Sequence, residues 1–79
     1  MIFIYVIKST QHKYRYVGIT SDIQRRISEH NGGKTKSTKG YAPFTLVLTE
    51  HYKDYTEARK REIFLKSGKG RQLLDSLIV

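Results

Sequence analysis

Cysteine and tryptophan are absent from this chain of 79 residues, proline and methionine occur once each, and acidic side chains number only 7. The lack of cysteine excludes a disulfide framework, zinc–thiolate centres and thiol catalysis together, and it permits a reducing compartment. No stretch approaches the roughly 18 consecutive apolar residues of a membrane-spanning helix. The apolar start Met1–Ile7 is too short for a signal peptide and lacks its basic leading region. These absences read as a cytoplasmic protein with no membrane partner. The few acidic groups are set against 15 Lys and Arg, for a formal charge of +8. On so small a surface that excess makes a positive field that draws polyanions, and nucleic acid is the first partner it suggests. A helix adapted to an acidic membrane would set its basic residues opposite a broad apolar face; here they are spread along the whole chain. A chain of this length removes a little over ~60% of its unfolded surface from water. The expectation is therefore one domain spanning 1–79, with a thin core and no room for a second.

Residues 2–8 are β-branched and aromatic without helix-favouring Ala, Glu or Leu, and 14–19 repeat that composition. They predict an antiparallel hairpin with strands near 2–8 and 13–19 and the polar Ser9-Thr10-Gln11-His12 as its loop. That loop sets Lys8 opposite Lys13 and Tyr5 opposite Tyr16, so both phenols share one face. Gly18 lies where a missing Cβ would let another backbone or a ligand approach. Thr20, Ser21 and Asp22 offer N-cap oxygens to a following helix, in which Ile23 and Ile27 form the apolar stripe. Asp22, Arg26 and His30 recur at four-residue steps beside that stripe, and Asn31-Gly32-Gly33 ends the helix. Residues 34–41 have no apolar period; Lys34, Lys36 and Lys39 interleaved with hydroxyls suit either a phosphate-contacting loop or a solvated, flexible connection. The lone proline, Pro43, opens a third strand over 44–52. Asp54 and Glu57 match the N-cap and N3 positions of a capping box, starting a helix that runs to Ser67 and stops at Gly68 in the C′ role. Leu73, Leu74, Leu77 and Ile78 mark a last short helix. The fold class is α/β: a small three-stranded antiparallel sheet flanked by three helices.

Within the second helix, Tyr55, Ala58, Glu62 and Leu65 follow the spacing of a core-facing stripe, and one of the four is a carboxylate. An inward Glu needs a partner or a metal. Lys66 or Arg26 would make it a partly buried ion pair; a divalent cation would make it a ligand. Tyr5, Tyr16, Arg26 and His30 are the other chemistry-bearing residues near it in the expected fold. The string I-Y-V at 4–6, Y-V-G at 16–18, I-T-S-D-I-Q-R-R-I-S-E-H-N at 19–31, T-E-A at 56–58 and R-E-I-F-L-K at 61–66 resembles the GIY-YIG nuclease superfamily. The resemblance spans Ile2 to about Leu77, with the motifs in order and at compatible spacing. The compact form, with N-G-G-K in the loop and a K-S-G-K-G-R tail, is similar to small stand-alone bacterial proteins related to the excision-repair nuclease subunit.

The resemblance implies that Tyr5 and Tyr16 line an active site, one of them assisting deprotonation of the attacking water. It implies that Arg26, rather than Arg25, steadies charge on the phosphate, that His30 bonds a phosphate oxygen or shuttles a proton, and that Glu62 holds one divalent metal. The first tripeptide departs from the family pattern in having Phe3 where its glycine stands. Such a set suits phosphodiester hydrolysis on physical grounds, because an oxygen-bound cation polarises the phosphoryl group and an arginine clamps its oxygens. A tyrosine of ordinary pKa ~10 is a poor base unless nearby cations depress it, which Arg26, a metal and the overall field would do. With one carboxylate ligand, Mg²⁺ or Mn²⁺ would complete its shell with water and substrate phosphate. Lys34, Lys36, Lys39, Lys66, Lys69 and Arg71 are candidates for contacts to the DNA backbone. Tyr14, Tyr41, Tyr52, Tyr55, His12 and His51 read as structural or surface residues. The expected activity is metal-dependent endonucleolytic cleavage of DNA, in repair or recombination, with specificity taken from DNA shape or from a protein partner. The rival expectation is a non-catalytic nucleic-acid-binding module that keeps the fold. The oligomeric state is not indicated.

Overall fold

The structure is a computed structural model and describes residues 1–77. Its hairpin is made by Ile2–Ser9 (β1) and Arg15–Thr20 (β2), and a third strand, Phe44–Tyr52 (β3), pairs antiparallel on the other side of β1. The order β2-β1-β3 puts β1 at the centre. Ile4 to Ile7 are consequently buried on both faces, as their unbroken apolar run requires.

The hairpin loop is longer than the sequence suggests. Ser9 stays in β1, where its Oγ accepts bonds from the backbone N–H groups of Gln11 (3.2 Å) and His12 (3.1 Å), while its own N–H donates to the Tyr14 carbonyl at 2.9 Å. Lys8 therefore faces Arg15, not Lys13. Tyr5 is opposite Gly18 and Tyr16 is opposite Ile7, which corrects the expected direct pairing of the two tyrosines. Because the register has moved by two residues, both phenols keep the same face. Their rings are diagonal neighbours 6.1 Å apart.

The two sheet faces carry different partners. Ile4, Val6 and Val17 pack with Ala58, Leu65 and Leu74 of the second and third helices, whereas Tyr5, Ile7 and Phe44 pack with Ile27 of the first. That first helix, Ile23–Asn31 (α1), begins at Asp22, whose Oδ1 accepts from the Arg25 N–H at 3.1 Å. At its other end the Asn31 amide bonds both backbone groups of Phe44, accepting from N at 2.7 Å and donating to O at 3.3 Å. The start of β3 thereby holds the last turn of α1.

Tyr55–Lys66 (α2) begins with the predicted Asp54 cap, its Oδ1 accepting from the Glu57 N–H at 3.0 Å. The end of α2 differs from expectation. Ser67 is extended, and Gly68 opens the next helix, Gly68–Leu77 (α3), in place of a C′ role. The Ser67 hydroxyl donates to the Phe64 carbonyl at 2.5 Å and accepts from the Gly70 N–H at 3.2 Å, serving both helices at their junction. Gly70 is the glycine this corner requires: a Cβ there would overlap the Phe64 carbonyl and the Leu65 backbone. Leu74 is buried, Leu73 packs partly against the core and Leu77 is exposed; the expected contribution of Ile78 lies outside the described residues. Among the described residues no helix is long and apolar enough to cross a membrane.

Candidate active site

Tyr5 is held by the strand opposite it. A Cβ at Gly18 would overlap the Tyr5 phenol, so the missing side chain lets that ring lie across β2. The close approach foreseen at Gly18 is that of this protein's own tyrosine. The Tyr5 hydroxyl lies 2.8 Å from Nε2 of His30, a residue in the last turn of α1 with no exposed surface. The other ring nitrogen, Nδ1, is 2.7 Å from Oγ1 of Thr38, which is also fully buried and donates to the Thr35 carbonyl at 3.4 Å. With the Thr38 proton committed to that carbonyl, Nδ1–H donates to Thr38 and Nε2 accepts from Tyr5. His30 is enclosed, with both ring nitrogens engaged inside the protein. Its ring bonds Tyr5 and Thr38 and lies beside the rings of Tyr16 and Phe44.

Burial pushes the His30 imidazole below its ordinary range, and the Arg26 charge adds to that against a smaller opposing effect of Glu29. Burial likewise pushes the Tyr5 phenol up to about 12; Arg26 pulls it back in part, while Tyr16 and Glu62 add to the rise. Desolvation of the phenolate outweighs the guanidinium, so Arg26 alone does not bring about the depression expected of this tyrosine. The groups acting on the Tyr5 proton come from three other elements, namely Tyr16 on β2, Arg26 on α1 and Glu62 on α2.

Arg26 lies one helical turn before His30 and is partly exposed, its Nη1 donating to Glu29 Oε1 at 3.0 Å. That bond is the main reason its pKa is raised. Tyr16 is half-buried, with its ring centroid 5.0 Å from that of His30 and the Lys66 ammonium 5.9 Å above its face. Glu62 is buried on the inner side of α2 with Ala58 and Leu65, as its spacing predicts, although Tyr55 at the head of that stripe is exposed. Its two oxygens accept from Arg59 at 3.3 Å and Lys66 at 3.2 Å. Of the two partners foreseen for it, Lys66 is the one found; Arg26 is engaged by Glu29. Among the described residues no three His, Asp, Glu or Cys side chains gather as a metal-ligand cluster. Glu62 is thus a lone hard oxygen donor among cationic side chains.

The candidate DNA-contact residues divide. Lys66 stands beside Tyr16, and Arg71 and Lys69 are exposed at the start of α3. Lys34, Lys36 and Lys39 are exposed on the turns after α1. Those turns are structured: Thr35 accepts backbone bonds from Thr38 and Lys39, a short 3-10 turn follows at Lys39–Tyr41, and Thr38 pins the segment to His30. Thr38 and Asn31 are the residues that sequence reasoning missed. Nothing in the hydroxyl-rich run 35–38 separates Thr38 from Thr35 or Ser37, and Asn31 read only as a helix stop.

A family model described as the GIY-YIG catalytic domain matches residues 1–74. The UPF0213 protein of Halobacterium salinarum is 43% identical over 67 residues, covering 84% of this chain and 86% of the relative. That of Staphylococcus haemolyticus is 34% identical over 73 residues, covering 91% and 88%. The solution NMR structure of the UPF0213 protein from Bacillus halodurans superimposes with a TM-score of 0.57 at 34% identity, covering 99% of this chain and 86% of that one. With the family model spanning most of the chain and the relatives matching at this identity and coverage, the chain belongs to the GIY-YIG family, in the branch of the small UPF0213 proteins, and has the fold of that nuclease superfamily.

Proposed function

We propose that this protein is a metal-dependent endonuclease that hydrolyses DNA phosphodiester bonds with water as nucleophile. The observation that carries the reading is the grouping around Tyr5, on β1, of Tyr16 from β2, Arg26 and His30 from α1 and Glu62 from α2, with His30 2.8 Å from the Tyr5 hydroxyl. Glu62 would hold Mg²⁺ or Mn²⁺ in exchange for its bonds to Arg59 and Lys66, whose long and largely exposed side chains are free to swing away. Such an ion supplies polarisation of the phosphoryl group and neutralises charge on the leaving oxygen. Arg26 turns from Glu29 to the substrate phosphate, which it clamps with two N–H donors.

A phenol whose pKa is pushed up to about 12 is no phenolate at neutral pH. Tyr5 acts instead as a relay, taking a proton from water as it passes its own to Nε2 of His30. The water O–H bond breaks, the phenol O–H is replaced, and His30 becomes an imidazolium whose Nδ1–H still bonds Thr38. Because burial and Arg26 disfavour that cation, His30 gives the proton back through the Tyr5 hydroxyl to solvent, from which the leaving oxygen takes its proton. Tyr16, half-exposed beside Lys66, forms the wall that meets the substrate.

The activity suits repair or recombination in the cytoplasm, with specificity drawn from DNA shape or from a protein partner. The test is nicking of linear, branched, single-stranded and damaged DNA with Mg²⁺ or Mn²⁺. Arg26→Ala and Glu62→Ala each reduce the rate at least ~10²-fold, in the range seen for loss of one transition-state contact, while circular dichroism stays as in wild type. Salt-sensitive DNA binding that is unchanged by EDTA and by Glu62→Ala, with no cleavage, would instead establish a binding module.

A further inference from the structure

Next to Tyr16 the surface opens into a groove of about 660 Å³ between edge strand β2 and α3. Its floor is apolar and firm, made by Val17, Leu65 and Leu74 of the main core. Its rim is cationic: Lys8, Lys13 and Arg15 come from the hairpin, Lys66 from α2 and Arg71 from α3. Asp75 is the only carboxylate on that rim among the described residues, and it binds Arg15 at 2.9 Å. Arg15 and Lys66 are paired with carboxylates, while Lys8, Lys13 and Arg71 have no ion-pair partner among the described residues, so three like charges on the rim are left uncompensated. Such a cluster opposes the folded state unless an anion neutralises it.

Resting on the endonuclease reading above, we infer that this groove carries the sugar–phosphate backbone of the substrate strand on one side of the scissile phosphate. The groove shares Tyr16 and Lys66 with the active site, and its lining extends to Lys13 in the hairpin loop. A strand with its reacting phosphate near Arg26 and Tyr16 therefore continues between Lys13 and Arg71, which take its next phosphates. Arg15 is the third contact and is held in reserve by Asp75: phosphate competes with that carboxylate for the guanidinium. The cations address the backbone and not base edges, so the groove positions DNA without reading its sequence.

The experiment is fluorescence anisotropy in EDTA with a labelled oligonucleotide, single-stranded and duplex, over a salt series, alongside cleavage at saturating substrate. Lys13→Gln and Arg71→Gln each weaken binding about fivefold and lower the slope of log K against log salt by about 1. Asp75→Asn tightens binding. Lys60→Gln, the same charge change on the far side of α2, has less than half the effect on log K. Equal effects of Lys13→Gln and Lys60→Gln, or no tightening by Asp75→Asn, overturn the groove while leaving the nuclease reading intact if the DNA is still cut. Groove-dependent binding without any cleavage keeps the groove as a nucleic-acid surface and removes the nuclease reading. A DNA-free wild-type dimer that Lys13→Gln and Arg71→Gln dissolve would assign the groove to a second copy of the chain and overturn the inference.

Discussion

Gly18 and Tyr5 behave as one unit, since the absent side chain of the first is the space occupied by the phenol of the second. Gly18→Ala forces that ring off β2 and away from His30. It lowers stability by about 1–3 kcal/mol, the usual cost of overpacking, and slows cleavage more than that loss explains; denaturant midpoints and rates on the same preparation check both. The buried chain Tyr5–His30–Thr38 also fixes how stability depends on pH. His30 has a lowered pKa in the folded state, so its contribution is fully present above the ordinary imidazole value of ~6.5 and is lost as the pH falls through the folded one. Tyr5 has a raised one, so its contribution is present below the ordinary phenol value of ~10 and declines as the pH rises towards about 12. Urea titrations across that range should give a stability plateau with these two shoulders, the acidic one vanishing in a His30→Gln variant that still folds. A profile unchanged by that variant would contradict the placement of the imidazole.

At the scale of elements, the sequence was most legible where local chemistry decides the outcome. The β-branched runs became strands, Asp22 and Asp54 became the caps, and Phe44–Tyr52 formed the third strand at the foreseen bounds. The inward carboxylate at 62 was readable because a charged residue in an apolar period is an anomaly. Tertiary contacts hid the rest. The hairpin register turned on Ser9 bonding its own loop, Thr38 found its role only when α1 brought His30 beside it, and Gly68 looked like a helix stop because the neighbouring role of Gly70 depends on how closely α3 approaches α2. The two glycines give a paired prediction. Gly70→Ala collides with backbone and lowers stability by about 3 kcal/mol or more, whereas a Cβ at Gly68 meets nothing within 4 Å. Gly68→Ala therefore leaves stability unchanged or raised by up to about 1 kcal/mol. Thermal melts of the two variants should separate widely, and similar melts would refute the described corner.

For the molecule as a whole, charge and site act at different ranges. On the proposed reading the formal charge of +8 would gather DNA from a distance and the side chains around Tyr5 would act only on contact, so the two are separable by salt. Raising the salt from 50 to 200 mM should weaken DNA binding steeply, while the rate at saturating DNA changes little; a binding constant insensitive to salt would argue against a backbone-directed surface. The central claim is that one set of residues around Tyr5 hydrolyses phosphodiesters with a metal held at Glu62. Its most direct test is a cleavage assay of wild type, Arg26→Ala and Glu62→Ala on a panel of branched, linear, single-stranded and damaged DNA with Mg²⁺ or Mn²⁺. The account predicts nicking by wild type that EDTA abolishes and both variants lose while remaining folded. Wild-type protein inert on every substrate with both metals, or cleavage that survives Glu62→Ala, would contradict it.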